Sequence, residues 1–270
     1  MEINEIKCKT CMTKSKLSDY VINPYTGCQH GCKYCYATFI QRFQNIKGEW
    51  GEFCYPKVNC PELLEKELKK NKPGHIWMSS VTDCYTPLEA RYKLTRKILE
   101  TVANSPYKNK FPIEILTKST LVKRDFDLIK KLDAELGMSI NSLDEKISRI
   151  IEPLAAAPKE RVETLREAKN NGIKVYGFLS PILPGITNLE ELFKELRFCD
   201  YFWVELLNTK PSLLARLLPV IEKNFPDKIK DFDFAINHPD EYYGKIKQEV
   251  GILEKKYNLK IRDIVVHFQK

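Results

Sequence analysis

The 270-residue sequence has no apolar run that approaches roughly 18 residues, the length at which an uninterrupted stretch suggests a membrane-spanning helix. Its opening residues, MEINEIKCKTCMTKSK, are charged and lack the apolar centre of a secretory signal. We therefore expect a cytoplasmic protein with no membrane segment. In a reducing compartment, its cysteines are expected to be ligands, nucleophiles or core residues rather than disulfide partners.

Internal repeats and low-complexity tracts are also absent, and the 15 prolines and 11 glycines are scattered rather than gathered in a long linker. A chain of this length with 43% hydrophobic residues can bury the core of one large domain. We predict a single domain over residues 1–270, with an arm over about 1–18, a core over about 19–208 and a helical or extended extension over about 209–270.

Short β-rich runs alternate with longer helical patterns, which favours βα units and a parallel sheet. The main strand candidates are DYVIN, HIWMSSV, IEILT, ELGMSI, IKVYGFL and YFWVEL. Because a closed eightfold barrel would need two further units, the predicted fold class is α/β, a partial (βα)6 TIM-like barrel with short N- and C-terminal extensions.

Apolar spacing predicts individual elements around these strands. Helices are expected over about Tyr34–Phe43 and over Leu88–Ala103. Asn188 is placed to cap a helix that begins at Leu189. The final apolar run, Arg262–Phe268, is predicted to be a terminal strand or extended segment.

The most informative motif is NPYTGCQHGCKYCYA, in which three residues and then two residues separate Cys28, Cys32 and Cys35. Cysteine thiolates hold iron–sulfur clusters, and three ligands leave one iron of a [4Fe–4S] cube open to a non-protein group. An open position suggests chemistry, whereas structural metal sites are closed. The alternative is a zinc-binding interaction module that recruits Cys54, Cys60 or a histidine as fourth ligand.

The cysteine spacing, with Tyr34 before the last cysteine, resembles the signature of the radical S-adenosylmethionine (radical SAM) enzymes. The runs SVTDCYTPLEARYKLTRKILE, LTKSTLVKRDFDLI, MSINSLDEKISRIIEP and GFLSPILPGI resemble the spore photoproduct lyase-like branch of that superfamily, over roughly residues 15–200. The resemblance implies a [4Fe–4S] cluster and SAM as cofactors, and reductive cleavage of SAM to a 5′-deoxyadenosyl radical. It also implies a low-potential electron donor such as ferredoxin or flavodoxin, and a barrel of radical SAM type.

The resemblance further implies roles for single positions. The expected cluster ligands are Cys28, Cys32 and Cys35, and the expected SAM contacts are Tyr34, Tyr36, Ser80, Thr82, Asp83, Lys118, Ser139 and Asn141. The Lys118 ammonium suits the SAM carboxylate, and hydroxyl and amide groups suit its ribose or methionyl part. Alternative roles remain open, because tyrosines pack loops and Ser, Thr and Asp after strands cap helices.

One position departs from the spore photoproduct lyase pattern. That lyase has a hydrogen-donating cysteine in the loop after its second strand, where this sequence has Ser80. Because an O–H bond is too strong for ready hydrogen-atom donation, we expect a different reaction here. Cys84 is the candidate donor, with a buried structural thiol as the alternative.

The net charge of +8 fits an anionic substrate, and nucleic acid is one candidate. The charges are interleaved, as in KELKKNK, which is more typical of solvated helix faces, so the substrate stays open. The remaining cysteines Cys8, Cys11, Cys54 and Cys60 are expected either to bind a second metal or to be incidental thiols.

Overall fold

The structure is a computed structural model that describes residues 1–44 and 46–267. The strands are β1 (Met12–Lys14), β2 (Tyr20–Ile22), β3 (Tyr25–Thr26), β4 (Tyr55–Pro56), β5 (Ile76–Met78), β6 (Ile113–Thr117), β7 (Glu135–Ser139), β8 (Val175–Ile182), β9 (Tyr201–Leu206) and β10 (Ile261–Val265). The helices are α1 (Ile40–Gln44), α2 (Cys60–Lys70), α3 (Glu89–Tyr92), α4 (Leu94–Asn104), α5 (Phe126–Lys131), α6 (Glu145–Ile151), α7 (Pro158–Asn170), α8 (Leu189–Leu196), α9 (Pro211–Asn224), α10 (Ile229–Asn237) and α11 (Pro239–Tyr257). Short 3₁₀ helices cover Tyr36–Phe39, Lys108–Lys110, Thr120–Asp125 and Pro226–Lys228.

One large sheet organises the fold. Its strand order is β1-β2-β5-β6-β7-β8-β9-β10, while β3 and β4 pair separately. β1 is antiparallel to β2, and every other neighbouring pair in the large sheet is parallel. The six predicted strands are β2, β5, β6, β7, β8 and β9, and their parallel pairing confirms the predicted α/β class. Within the described ranges β1 and β10 pair only on one side, so the sheet is a partial barrel.

The two faces of the sheet have different partners. In β8, Val175 and Leu179 belong to the main hydrophobic core. Tyr176 and Phe178 alternate with them and belong to a separate cluster that includes Trp77 from β5. Because successive side chains of a strand point to opposite faces, the first set packs under the helices and the second fills the interior of the partial barrel.

The C-terminal extension contributes to the sheet. β10 lies parallel to β9 and is the seventh parallel strand. It covers most of the predicted segment Arg262–Phe268, whose last residue lies outside the described part of the chain. His267, the last residue that the structure describes, follows shortly after β10.

A disulfide between Cys11 and Cys60 corrects the prediction that the cysteines avoid disulfides. Its S–S distance is 2.05 Å and it ties the N-terminal arm to α2. Because both sulfur atoms are bonded to each other, Cys11 and Cys60 cannot ligate a second metal together with Cys8 and Cys54, which was one of the two alternatives for these four cysteines. Cys8 instead lies beside Asn59, with its sulfur 3.5 Å from Oδ1.

The helices differ from the sequence expectation in two ways. The single helix expected over Leu88–Ala103 is broken at Lys93, whose backbone adopts the left-handed conformation with φ 53°. Helices α6 and α10 were not predicted, although Asp144 caps α6 by accepting hydrogen bonds from the N–H groups of Lys146 and Ile147. The capping carboxylate was the available signal for α6.

Other local predictions hold. The Asn188 side chain accepts a hydrogen bond from the Glu191 N–H at 3.1 Å and caps the N-terminus of α8, as expected. The segment predicted as a helix over Tyr34–Phe43 begins as the 3₁₀ helix Tyr36–Phe39 and continues as α1. No described helix is both long and apolar enough to cross a membrane.

The interior of the barrel makes Gly137 sensitive to substitution. A Cβ at Gly137 would lie 2.1 Å from Cζ of the buried Tyr176 ring, so Gly137→Ala should destabilise by about 1–3 kcal/mol or more. Gly251 lies within α11 with open space around its Cα, so Gly251→Ala should stabilise by up to about 1 kcal/mol. Urea unfolding of both variants checks the pair, and equal effects would contradict this packing.

Candidate active site

A cavity of about 370 Å³ lies at the carboxyl ends of the parallel strands, where loops of different strands meet. Its lining comes from the cysteine loop (residues 27–39, after β3), from the segments that follow β5, β6, β9 and β10, and from residues of β7 and β8 themselves. Ten predicted site residues line it: Cys28, Cys32, Cys35, Tyr34, Tyr36, Ser80, Thr82, Asp83, Lys118 and Ser139. The sequence-predicted constellation is therefore brought together in one place.

The three cysteines are free thiols on the cavity wall. Cys28 and Cys32 are buried and Cys35 is half-buried. Burial raises the pKa of Cys32 to about 11 and the pKa of Cys35 to about 12. Since the thiolate is the form that ligates metals, a bound cation or cluster must compensate for deprotonation in this environment.

A buried ionic network holds Tyr34. Its hydroxyl donates to Oε1 of Glu152, whose other oxygen lies 2.5 Å from the guanidinium of Arg161. Burial alone would raise the pKa of Glu152, but the charges of Arg161 and Lys118 hold it below its usual range. Arg161 also donates to the carbonyl of Ser139 at 2.9 Å, so the network connects the cysteine loop, the end of β7 and α7.

Asp83 makes a second tie between loops. Its carboxylate accepts hydrogen bonds from the Thr117 hydroxyl at 2.7 Å and from the Lys118 N–H at 2.8 Å. The same carboxylate lies 3.3 Å from Nδ1 of His30, within the cysteine loop. Burial would lower the pKa of His30, but Asp83 and Cys28 raise it to about 10. Burial would raise the pKa of Asp83, but His30 and the hydrogen bonds to the carboxylate lower it to about 2. Asp83 thus orients the loops around the cavity.

Lys118 places a positive charge in the cavity. Burial would lower the pKa of its ammonium, but Cys32 and Glu152 raise it, so the group remains charged. The ammonium lies 5.7 Å from the centroid of the Tyr34 ring, and no described carboxylate forms an ion pair with it. A charged, cavity-lining group that no carboxylate contacts directly suits an anionic ligand.

The loop after β5 is fixed to the cysteine loop through hydroxyl groups. The Thr82 hydroxyl donates to the Gly27 carbonyl at 2.6 Å, and the Tyr36 hydroxyl donates to the Ser80 carbonyl. The Ser80 hydroxyl accepts from the Asn23 amide at 2.9 Å. These expected SAM contacts therefore also have structural partners. The tyrosine packs the loop, as its alternative role predicts, whereas the two hydroxyls bond between loops and cap no helix.

Further lining residues come from β5, from the strands β7, β8 and β9 and from the segment after β10. The Ser139 hydroxyl donates to the Ser180 carbonyl at 3.0 Å, and the Ser180 hydroxyl donates to Glu205. The other carboxylate oxygen of Glu205 lies 2.8 Å from Nε2 of His267. Trp77 and Phe178 add aromatic surface at a centroid distance of 6.5 Å.

Two predicted residues lie off the cavity, which corrects their expected roles. Cys84 is fully buried in the main core, and its carbonyl accepts from the Thr95 hydroxyl at 2.5 Å. It has no access to a substrate in the cavity, which favours the structural-thiol alternative. Asn141 donates to Glu152 at 3.2 Å and so supports the Tyr34 network instead of lining the cavity.

Three residues of the site are not predicted from the sequence. The first is His30, and its place between Cys28 and Cys32 in the cysteine motif is the feature that could have indicated it. Arg161 reads as an ordinary charged residue of an amphipathic helix, since only tertiary structure brings it to Glu152. The cavity residue His267 follows the last strand and has no local signal in the sequence.

The donor set fits an iron–sulfur cluster better than a zinc ion. A zinc ion bonds each thiolate at about 2.3 Å and needs its ligand atoms gathered around one point. Across residues 1–44 and 46–267, no three His, Cys, Asp or Glu side chains are arranged to hold a single metal ion. The three free thiols instead border a cavity with space for a larger group.

Comparison with known proteins identifies the class. The family model of the radical SAM superfamily matches residues 22–198, and the chain therefore belongs to this superfamily of enzymes. Membership implies a [4Fe–4S] cluster and SAM as cofactors, and members usually need a reductant. This assignment overturns the alternative of a zinc-binding interaction module.

Three individual proteins show how similar this chain is to other members and to solved structures. An uncharacterized protein of Methanocaldococcus jannaschii is 36% identical over 99% of this chain and 98% of its own length. A radical SAM Nα-GlyT isomerase of Pseudomonas phage M6 is 23% identical over 84% of this chain and 46% of that protein. A solved mutant of spore photoproduct lyase with bound AdoMet and dinucleoside spore photoproduct has a TM-score of 0.70 and 17% identity, covering 99% of this chain and 82% of the other. The last likeness establishes a shared fold.

The buried network around Tyr34 predicts a large stability effect. Arg161→Met leaves Glu152 buried without its cation and should cost about 3–5 kcal/mol of the free energy of unfolding. Adding Glu152→Gln removes the stranded charge and should recover part of that loss. Lys159→Ala, an exposed change on the same helix, should stay within about 0.5 kcal/mol. Urea unfolding measures all three, and a double variant no more stable than Arg161→Met would contradict this role.

Proposed function

We propose that this cavity is the active site, with Cys28, Cys32 and Cys35 as the three protein ligands of the [4Fe–4S] cluster and SAM completing the fourth iron. When bound, the cofactors supply a 5′-deoxyadenosyl radical, formed by one-electron cleavage of SAM, which abstracts a hydrogen atom from the substrate. The observation that carries this proposal is the meeting of three free thiols and the unpaired Lys118 ammonium on one cavity.

Lys118 is proposed to bind the carboxylate of SAM. Its charge is maintained by Cys32 and Glu152, and the Tyr34 ring lies against its ammonium. The hydroxyls of Ser139 and Tyr36 donate to backbone carbonyls, so each retains acceptor lone pairs for the ligand. Both oxygens of Asp83 already accept hydrogen bonds, so its role is to orient the Lys118 backbone and His30.

The substrate is proposed to bind beside the cofactors, against a second group of lining residues. That group offers the Glu205–His267 pair, the aromatic surface of Trp77 and Phe178, and the exposed Lys210. It therefore combines an acceptor-rich polar pair with planar apolar contacts. The reductant is proposed to be a low-potential donor such as ferredoxin or flavodoxin, since cluster reduction needs an external electron.

A nucleic-acid substrate is the second candidate, for a repair or modification enzyme of lyase type. Aromatic side chains in a cavity can stack an extruded or single-stranded base, and the net charge of +8 favours a polyanion. The Ser80 position supports a reaction that differs from spore photoproduct lyase, because a hydroxyl is a poor hydrogen-atom donor and Cys84 lies away from the cavity.

Anaerobic reconstitution with iron and sulfide tests the proposal. Wild-type protein and Cys84→Ala should both bind about four irons and, with SAM and dithionite, release 5′-deoxyadenosine. Cys28→Ala should lose most of the iron, since one of three thiolates is removed. A wild-type protein with no [4Fe–4S]⁺ EPR signal that changes on adding SAM would overturn the assignment of the site.

The role of Lys118 is tested by SAM binding. Lys118→Met should keep the cluster but weaken SAM binding by about 10–100-fold, because a charge-assisted hydrogen bond contributes about 1.5–3 kcal/mol. Lys123→Met is the matched control, since Lys123 pairs on the surface with Glu167. Equilibrium dialysis with labelled SAM measures both, and equal affinities would contradict the assignment.

The nucleic-acid candidate predicts salt-dependent binding. Fluorescence anisotropy with labelled single-stranded DNA, duplex DNA and tRNA should show affinity that falls steeply as salt rises. Removing the cavity aromatic surface by Trp77→Ala should weaken single-strand binding by about 1–3 kcal/mol if a base stacks there. Absence of binding at low salt would favour a peptide or small-molecule substrate.

A further inference from the structure

Helix α9 lies beyond residues 22–198, which the family model matches, yet it packs on the cysteine loop. Leu213, Leu217 and Ile221 are its buried residues, and they share a hydrophobic cluster with Cys32 and Tyr34. Their spacing of four residues places them along one helix face. The C-terminal extension is therefore a wall of the cysteine loop, through contacts that the family match does not include.

Arg216 extends from this helix to the loop backbone. One terminal nitrogen donates to the Cys35 carbonyl at 3.2 Å, and the other donates to the Cys32 carbonyl at 3.4 Å. The Cys35 N–H also donates to the Cys32 carbonyl at 3.2 Å, which closes a turn between these two cysteines. The planar guanidinium thus grips both ends of that turn, as its fork of donors permits.

The charge of Arg216 is directed at the loop. The side chain is half-buried, and no described carboxylate forms an ion pair with it. A positive charge in this partly desolvated position interacts more strongly with neighbouring charge than an exposed lysine does. Cys32 and Cys35 are two of the three proposed cluster ligands, so any charge that the cluster gains develops beside this guanidinium.

We propose that Arg216 is a positioning residue for the iron–sulfur cluster: it fixes the Cys32–Cys35 turn and favours the reduced cluster electrostatically. This inference rests on the cluster site of the proposed function and is independent of the substrate. Reduction adds one electron from an external reductant and makes the cluster more negative. A nearby cation stabilises that state, so Arg216 raises the midpoint potential and makes the cluster easier to reduce.

The test compares Arg216→Gln, Arg216→Lys and Lys223→Gln. Lys223 lies on the same helix and is exposed, so Lys223→Gln removes the same charge away from the loop. EPR-monitored redox titration of reconstituted protein should show a more negative midpoint potential for Arg216→Gln. Arg216→Lys should recover much of the potential because it keeps the charge, and Lys223→Gln should match wild type.

Hydrogen–deuterium exchange of the apoprotein supplies a readout that needs no cluster. Amides of residues 32–36 should exchange several-fold faster in Arg216→Gln and Arg216→Lys than in wild type or Lys223→Gln, because the two-pronged contact is lost. This exchange measurement still tests the role of Arg216 if wild-type protein fails to assemble a cluster. That failure would contradict the proposed function on its own. Unchanged exchange in Arg216→Gln, or an unchanged midpoint potential in a fully loaded Arg216→Gln, would overturn the proposal.

Discussion

The buried ion pair between Glu152 and Arg161 is the interaction on which the site depends most. Both side chains are almost entirely removed from solvent, so each needs the other to offset a large loss of hydration. Glu152 also accepts a hydrogen bond from Tyr34 in the cysteine loop, and Arg161 also donates to the Ser139 carbonyl at the end of β7. The pair therefore fixes the geometry of the site, because moving either side chain would leave a buried charge without its partner.

That constraint matters because the cysteine loop has little regular structure of its own. Apart from the turn between Cys32 and Cys35 and the 3₁₀ helix Tyr36–Phe39, its backbone hydrogen bonds reach other parts of the chain, as between the Lys33 N–H and the Ile151 carbonyl. Asp83 holds it through His30, and Arg216 holds it through the Cys32 and Cys35 carbonyls. Three free thiols are therefore positioned by contacts from three different parts of the fold, which is how a loop acquires the rigidity that a cluster site needs.

The cavity lining draws on two parts of the chain. Cys28, Cys32, Cys35 and Lys118, the proposed cofactor-binding residues, lie within residues 22–198, which match the radical SAM superfamily. Glu205 and His267 belong to the proposed substrate side and lie beyond that match. Under the proposed function, the cofactor-binding residues therefore lie in the part of the chain that matches the superfamily, and residues outside it contribute to the substrate side.

The sequence by itself determined the class of protein, because cysteine spacing and the polar residues at strand ends are local patterns with direct chemical meaning. It also predicted the six parallel strands, since their apolar runs and intervening helices are continuous in the chain. Tertiary structure alone decided which residues share a cavity: Cys84 lies in the core, Asn141 lies in the Tyr34 network, and His267 lines the same cavity as the thiols. It also formed the Cys11–Cys60 disulfide across 49 positions of sequence. These outcomes depend on contacts between distant segments, and no local spacing encodes the distance between two side chains that only the folded sheet brings together.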